Sequence, residues 1–116
     1  MSMFTELFEA REGAFTGPEQ AVFVRFVHGL EDMAFVHQVL ECLRQRMGET
    51  DFGTVRGYMP DRGSARVTVK LAGRDADAIW LHVRDSVMPL ITGRSPEVTL
   101  RYGPEGPQTP EKTMTL

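Results

Sequence analysis

The chain has 116 residues and a mass of 13.0 kDa, room for one domain around one hydrophobic core and too little for a second. Hydrophobic residues make up 41% and charged residues 25%, which excludes a wholly disordered chain and a fibre. Thirteen basic residues against sixteen acidic ones give a formal net charge of -3, which disfavours a general polyanion binder, since such proteins carry an overall basic excess.

No apolar stretch reaches the roughly 18 residues that a bilayer span requires, so no membrane partner is expected. The N-terminal run MSMFTELFEAREG holds acidic residues where a secretory signal needs a basic patch and an apolar core, so a cytoplasmic location is expected. A single cysteine, Cys42, rules out an internal disulfide and any multi-cysteine zinc site. All basic residues except Lys70 and Lys112 are arginine. Bidentate carboxylate or phosphate contacts would favour arginine, but a GC-rich coding sequence gives the same bias without any function and is the preferred explanation.

In chain order, residues 3–12 place Met3, Phe4, Leu7 and Phe8 at helical spacing beside Glu6, Glu9 and Glu12, and Thr16-Gly17-Pro18 ends the run. Residues 1–20 therefore read as a short N-terminal helix and loop. Residues 21–28, AVFVRFVH, are β-branched and aromatic and read as a strand. Residues 31–47 set Val36, Val39, Leu40, Leu43 and Met47 on one helical face, with Glu31 and Asp32 at its start and Gly48 at its end. Residues 52–59 and 64–71 flank Pro60-Asp61-Arg62-Gly63, which is turn chemistry, so they form a hairpin. Residues 75–91 repeat the helical stripe with Ile79, Val83, Val87 and Ile91, and Pro89 threatens its last turn. Residues 97–102 make a fourth strand. Residues 103–116 are a Pro/Gly-rich tail with two outcomes open, an edge strand or a frayed end.

Over residues 21–102 this order is β-α-β-β-α-β. It predicts an α+β domain of the ferredoxin-like split type, a four-stranded antiparallel sheet with two helices on one face, within a single domain spanning 1–116. The resemblance is one of architecture, and that architecture hosts many activities.

Period-two alternation then sorts the strands. The helix-covered face takes Val22, Val24, Phe26, Val55, Met59, Ala65, Val67, Val69, Leu71, Val98, Leu100 and Tyr102. The opposite face takes Phe23, Arg25 and Val27, then Phe52, Thr54, Arg56 and Tyr58, then Arg66, Thr68 and Lys70, and finally Thr99 and Arg101. Five of the thirteen basic residues fall there, leaving eight to balance sixteen acidic ones, so the sheet face is basic and the rest of the molecule acidic. Phe23, Arg25, Phe52, Arg56, Tyr58, Arg66, Lys70 and Arg101 are the candidate partner-binding residues.

Three readings compete for that face: solvent alone, a protein cover (a second subunit or the N-terminal helix), or an acidic partner, either single-stranded nucleic acid or an acidic protein surface. The basic-Gly-aromatic signature of RNA-recognition modules is missing from the third strand, SARVTVKL, so nucleic acid ranks below protein. His28, His37 and His82 stand at no metal-ligand spacing, Cys42 lies beside Glu41 rather than an activating base, and no phosphate-binding glycine loop occurs. Neither a metal nor a cofactor is expected. The reading is a non-enzymatic protein-interaction module, accessory, regulatory or inhibitor-type, with self-association expected. The enzyme alternative is a small cofactor-free pocket between helices and sheet using Tyr102 or His82.

Overall fold

The computed structural model describes residues 19–28, 33–61 and 65–116. The expected helix at 3–12, the start of the helix at 31–32 and the tip of the 60–63 turn lie outside them. The elements are β1 (Gln20–Val27), α1 (Met33–Met47), β2 (Gly53–Pro60), β3 (Arg66–Gly73), α2 (Ala76–Ile91), β4 (Glu97–Arg101) and β5 (Glu111–Thr115). The result is an α+β fold with one antiparallel sheet in the order β2-β3-β1-β4-β5 and two helices.

The sheet has five strands where four were expected. After β4 the run Gly103-Pro104-Glu105-Gly106-Pro107 turns the chain back, and the Tyr102 N–H donates to the Pro110 carbonyl at 3.0 Å to begin a new ladder. Within residues 111–115 the one apolar side chain, Met114, falls opposite Val98 and packs on the edge of the core.

The apolar stripes do the rest. Val22, Val24 and Phe26 of β1, Val67, Val69 and Leu71 of β3, and Val98 and Leu100 of β4 share one buried cluster with Val36, Val39, Leu40 and Leu43 of α1. Ile79, Val83, Val87 and Ile91 of α2 complete it, so both helices cover the same side of the sheet. The α2 N-terminus is fixed twice: the Asp75 carboxylate accepts from the Ala78 N–H at 3.1 Å, and the Gln20 side-chain oxygen accepts from the Ala76 N–H at 2.8 Å. The second bond ties that helix to the start of the central strand. Pro89 does not stop α2, which runs on to Ile91: it forgoes one backbone bond, to the carbonyl four residues back, and only two helical residues follow it.

One irregularity changes which residues reach the candidate site. The β2–β3 register shifts between Val55 and Gly57, a bulge centred on Arg56, with Gly57 at φ 134°, a conformation closed to residues with a Cβ. Upstream of the bulge Val55 pairs with Leu71 on the helix side. Downstream, Tyr58 pairs with buried Val69 and Met59 with Thr68. The bulge thus exchanges the faces expected for Tyr58 and Met59: Tyr58 lies on the helix side, its ring 6.4 Å from that of His37, and Met59 on the outer side.

Candidate interaction face on the sheet

The outer face is carried by the odd-numbered residues of β1 and the residues that the register sets beside them. Phe23 pairs with Lys70 and Thr99, Arg25 with Thr68 and Glu97, Val27 with Arg66, and Ala21 with Ala72 and Arg101. Six of the eight candidate residues therefore share this face: Phe23, Arg25, Arg56, Arg66, Lys70 and Arg101. Tyr58 leaves it through the bulge. Phe52 leaves it for a different reason. It precedes the first paired residue of β2, so strand alternation does not govern it, and its ring packs edge-on against His82 at 5.6 Å.

The face divides into two halves. Near the ends of β1 and β3, Arg25 lies between its cross-strand neighbours, donating from Nε to Thr68 Oγ1 at 3.1 Å and from a terminal nitrogen to Glu97 Oε1 at 3.0 Å. Its side chain is 38% exposed, so this pair is a rim contact of modest worth. Arg66 donates to the Ser95 carbonyl at 3.1 Å.

The other half is more enclosed. Arg56, at the bulge, reaches across β3 and forms an ion pair with Glu19 just ahead of β1, and its side chain is only 3% exposed. Arg101 is likewise buried and donates from Nε to the Gly103 carbonyl at 3.0 Å. Ala21 and Ala72, on the same face, are fully buried as well. Phe23 shares this half, its ring approached by the Arg101 guanidinium at 5.3 Å and by the Lys70 ammonium at 6.0 Å. Burial pushes the Lys70 pKa below its ordinary 10.5; the guanidiniums of Arg101 and Arg56 push the same way, against the pull of Glu19 and Glu105. Among the described residues, the three cations Lys70, Arg101 and Arg56 are set there against the two carboxylates Glu19 and Glu105.

Glu19 and Glu105 were not among the candidates. Glu19 shares the parity of Phe23 and Arg25, so the alternation that found those residues extends back to it. Glu105 had no periodic signal, because it stands in the Pro/Gly-rich loop.

Elsewhere the chemistry-bearing residues serve the fold. His82 Nε2 lies 2.8 Å from the Arg46 carbonyl at the end of α1, and Arg46 bridges to Glu49 at 2.8 Å and donates to the His82 carbonyl at 3.3 Å, a reciprocal clasp of the two helices. The Cys42 Sγ donates to the Ser86 carbonyl in the same seam, and burial raises its pKa more than nearby Arg46 lowers it, so it is held as a thiol. Tyr102 donates to Asp77 at 2.8 Å, and that bond raises the phenol above its ordinary value. Asp77 and His82 are five residues apart on α2, about 140° around the helix, so Tyr102 and His82 do not converge on one pocket. Among the described residues no group of three or more His, Cys, Asp or Glu is gathered closely enough to hold a metal, and no helix is long and apolar enough to cross a membrane.

No family model matches the chain, and no curated protein matches it. Among solved structures it is similar to a C-terminal segment of the alpha subunit of aIF2 from Pyrococcus abyssi, with 16% identity and a TM-score of 0.45 over 78% of this chain and 53% of that one. It is also similar to a hydantoinase/carbamoylase family amidase from Burkholderia ambifaria, with 17% identity and a TM-score of 0.47 over 76% of this chain and 28% of that one. The chain thus spans about half the length of the first and little more than a quarter of the second, and at these scores neither likeness bears on its activity.

Proposed function

We propose that the protein is a non-enzymatic interaction module that receives an acidic protein segment on the outer face of its sheet, at Phe23, Lys70 and Arg101. The observation that carries the reading is the pair of cations over one aromatic ring, 5.3 and 6.0 Å from it, in a half-enclosed setting where Lys70 is already destabilised as a cation. A carboxylate arriving there relieves repulsion between like charges, while an apolar neighbour of that carboxylate covers Phe23. Arg25 and Arg66 extend the positive strip along the sheet. Phe52 and Tyr58 have no part in this surface.

We further take the core to be of the ferredoxin-like split type, for which the strand order β2-β3-β1-β4 and the βαββαβ succession speak, with β5 as an addition. A cytosolic protein with an accessory, regulatory or inhibitor-type role is the setting that suits a single cysteine and an acidic body.

The test is a titration followed by NMR with a synthetic peptide of alternating glutamate and leucine, and with oligo-dT as the competing ligand. The reading expects shifts concentrated at Phe23, Lys70, Thr99 and Arg101, lost in Lys70→Glu. Shifts with oligo-dT alone, falling steeply with salt, would transfer the face to nucleic acid. No shift with either ligand would remove the proposal.

A further inference from the structure

The two edges of the sheet are not equivalent. β2 pairs only with β3, and its outer edge is interrupted by the bulge at Arg56–Gly57 and ends at Pro60, both devices that spoil strand addition. β5 pairs only with β4 among the described residues, carries no proline or bulge within Glu111–Thr115, and is exposed at four of its five positions. Its hydrogen-bonding phase follows from the flanking bonds. The Tyr102 N–H donates to the Pro110 carbonyl and the Leu116 N–H to the Pro96 carbonyl, both at 3.0 Å, in the register that sets Lys112 on Leu100 and Met114 on Val98. The even-numbered residues of β5 therefore spend their backbone groups on β4. Glu111, Thr113 and Thr115 turn their N–H and C=O groups outward.

From this we infer that β5 is the interface for a second copy of the chain, pairing antiparallel with its own counterpart about Thr113 to make a continuous ten-stranded sheet. The strand is self-complementary in that register. Thr113 faces Thr113 and Glu111 faces Thr115 as hydrogen-bonded pairs, about six inter-chain bonds in all, while Lys112 meets Met114 on the helix side. Shifting the centre to Lys112 would set two ammonium groups face to face and lose a third of the bonds. The helix-side flank of this edge is also unfinished. A cleft of about 390 Å³ between α2 and β5 is lined by Trp80, Leu81, Leu100 and Met114 together with the charged Asp77, Arg84 and Lys112, and Leu81 is 60% exposed. A two-fold axis through Thr113 brings both such flanks side by side, so each Leu81–Met114 shelf gains cover from its twin. Because the β2 edge is blocked, pairing stops at two copies rather than growing into a fibre. This inference is independent of the acidic-segment reading, which uses the opposite side of the sheet.

The experiment is light scattering of the full chain across concentrations, on wild type, Thr113→Pro and Phe23→Asp. Proline at 113 removes an outward N–H and no backbone bond to β4, only the exposed hydroxyl contact with Thr99 at 3.0 Å, so its fold should stand. Wild type and Phe23→Asp should approach twice 13.0 kDa with rising concentration, and Thr113→Pro should stay at 13.0 kDa. A wild type that remains monomeric, or a dimer lost in Phe23→Asp and kept in Thr113→Pro, overturns the inference. Hydrogen exchange on the wild type provides a readout that needs no variant. The amides of Glu111, Thr113 and Thr115 should gain protection, on the order of tenfold, as concentration rises, while those of Lys112 and Met114 are protected throughout. Equal behaviour of odd and even amides contradicts it.

Discussion

On the helix side of the sheet, Val22, Val24 and Phe26 of β1 meet the stripes of two helices and lose all contact with solvent. On the other side the same strand presents Ala21, Phe23 and Arg25, and Ala21 is equally inaccessible although no helix lies over it among the described residues. The first face is closed by interdigitating aliphatics, an arrangement that tolerates little change in volume. The second holds two buried arginines, Arg56 and Arg101, beside the alanines, with their charges held by Glu19 and a backbone carbonyl. Charged cover of that kind can be displaced or recruited by a ligand at small cost, whereas a packed core cannot. The chemistry of recognition therefore belongs on the outer face.

Substitutions on the two faces should separate these modes of closure. The largest effect is expected from Phe26→Ala, which empties a fully buried site that also packs edge-on with Phe35 at 5.6 Å: about 3–5 kcal/mol in urea unfolding, with a loss under 1 kcal/mol counting against a tight core there. Gly73→Ala should cost roughly 2–3 kcal/mol, because a Cβ at that position runs into the Phe52 carbonyl and neither backbone can yield; thermal unfolding measures it. On the outer face Glu19→Gln weakens the ion pair with buried Arg56 and should cost about 1–2 kcal/mol, less than removal of a fully buried partner because Glu19 is 29% exposed. A loss no larger than for an exposed control such as Glu41→Gln would mean the pair holds nothing in place.

Lys70→Met is expected to have the smallest effect and the opposite sign. The folded-state pKa of Lys70 lies below 10.5, so the unfolded chain holds the proton more tightly and folding pays for the charged form at neutral pH. Removing the charge should raise the melting temperature near pH 7. That advantage should shrink as pH rises from the lowered folded value toward 10.5, where wild-type Lys70 becomes neutral. An advantage that grows with pH would reverse the sign of the argument.

Most of the architecture was legible because the apolar periods of β1, α1, β3, α2 and β4 change cleanly from two to 3.6 at their borders. Five of the eight candidate face residues follow from that period alone, and Arg56, on β2, keeps the expected face only because it stands at the bulge and not beyond it. Tyr58 failed for a reason present in the sequence, since a glycine inside a strand pattern marks a possible bulge and Gly57 stands directly before it. Phe52 failed because alternation says nothing until the first paired residue, and pairing begins at Gly53. β5 was left open because Glu-Lys-Thr-Met-Thr carries a single apolar residue, and only the neighbouring strand decides whether so weak a pattern becomes a strand. The Arg56–Glu19 pair could not be read from spacing, since it joins residues 37 apart across an intervening strand.

The most direct trial of the outer face is the pKa of Lys70 itself, followed by NMR of its side-chain carbon next to nitrogen, with and without an acidic peptide. The account predicts a value below 10.5 in the free protein that moves upward when the peptide binds. A free-protein value at or above 10.5 would mean that carboxylates already outweigh the cations around Phe23, and the surface would have no need of an acidic partner.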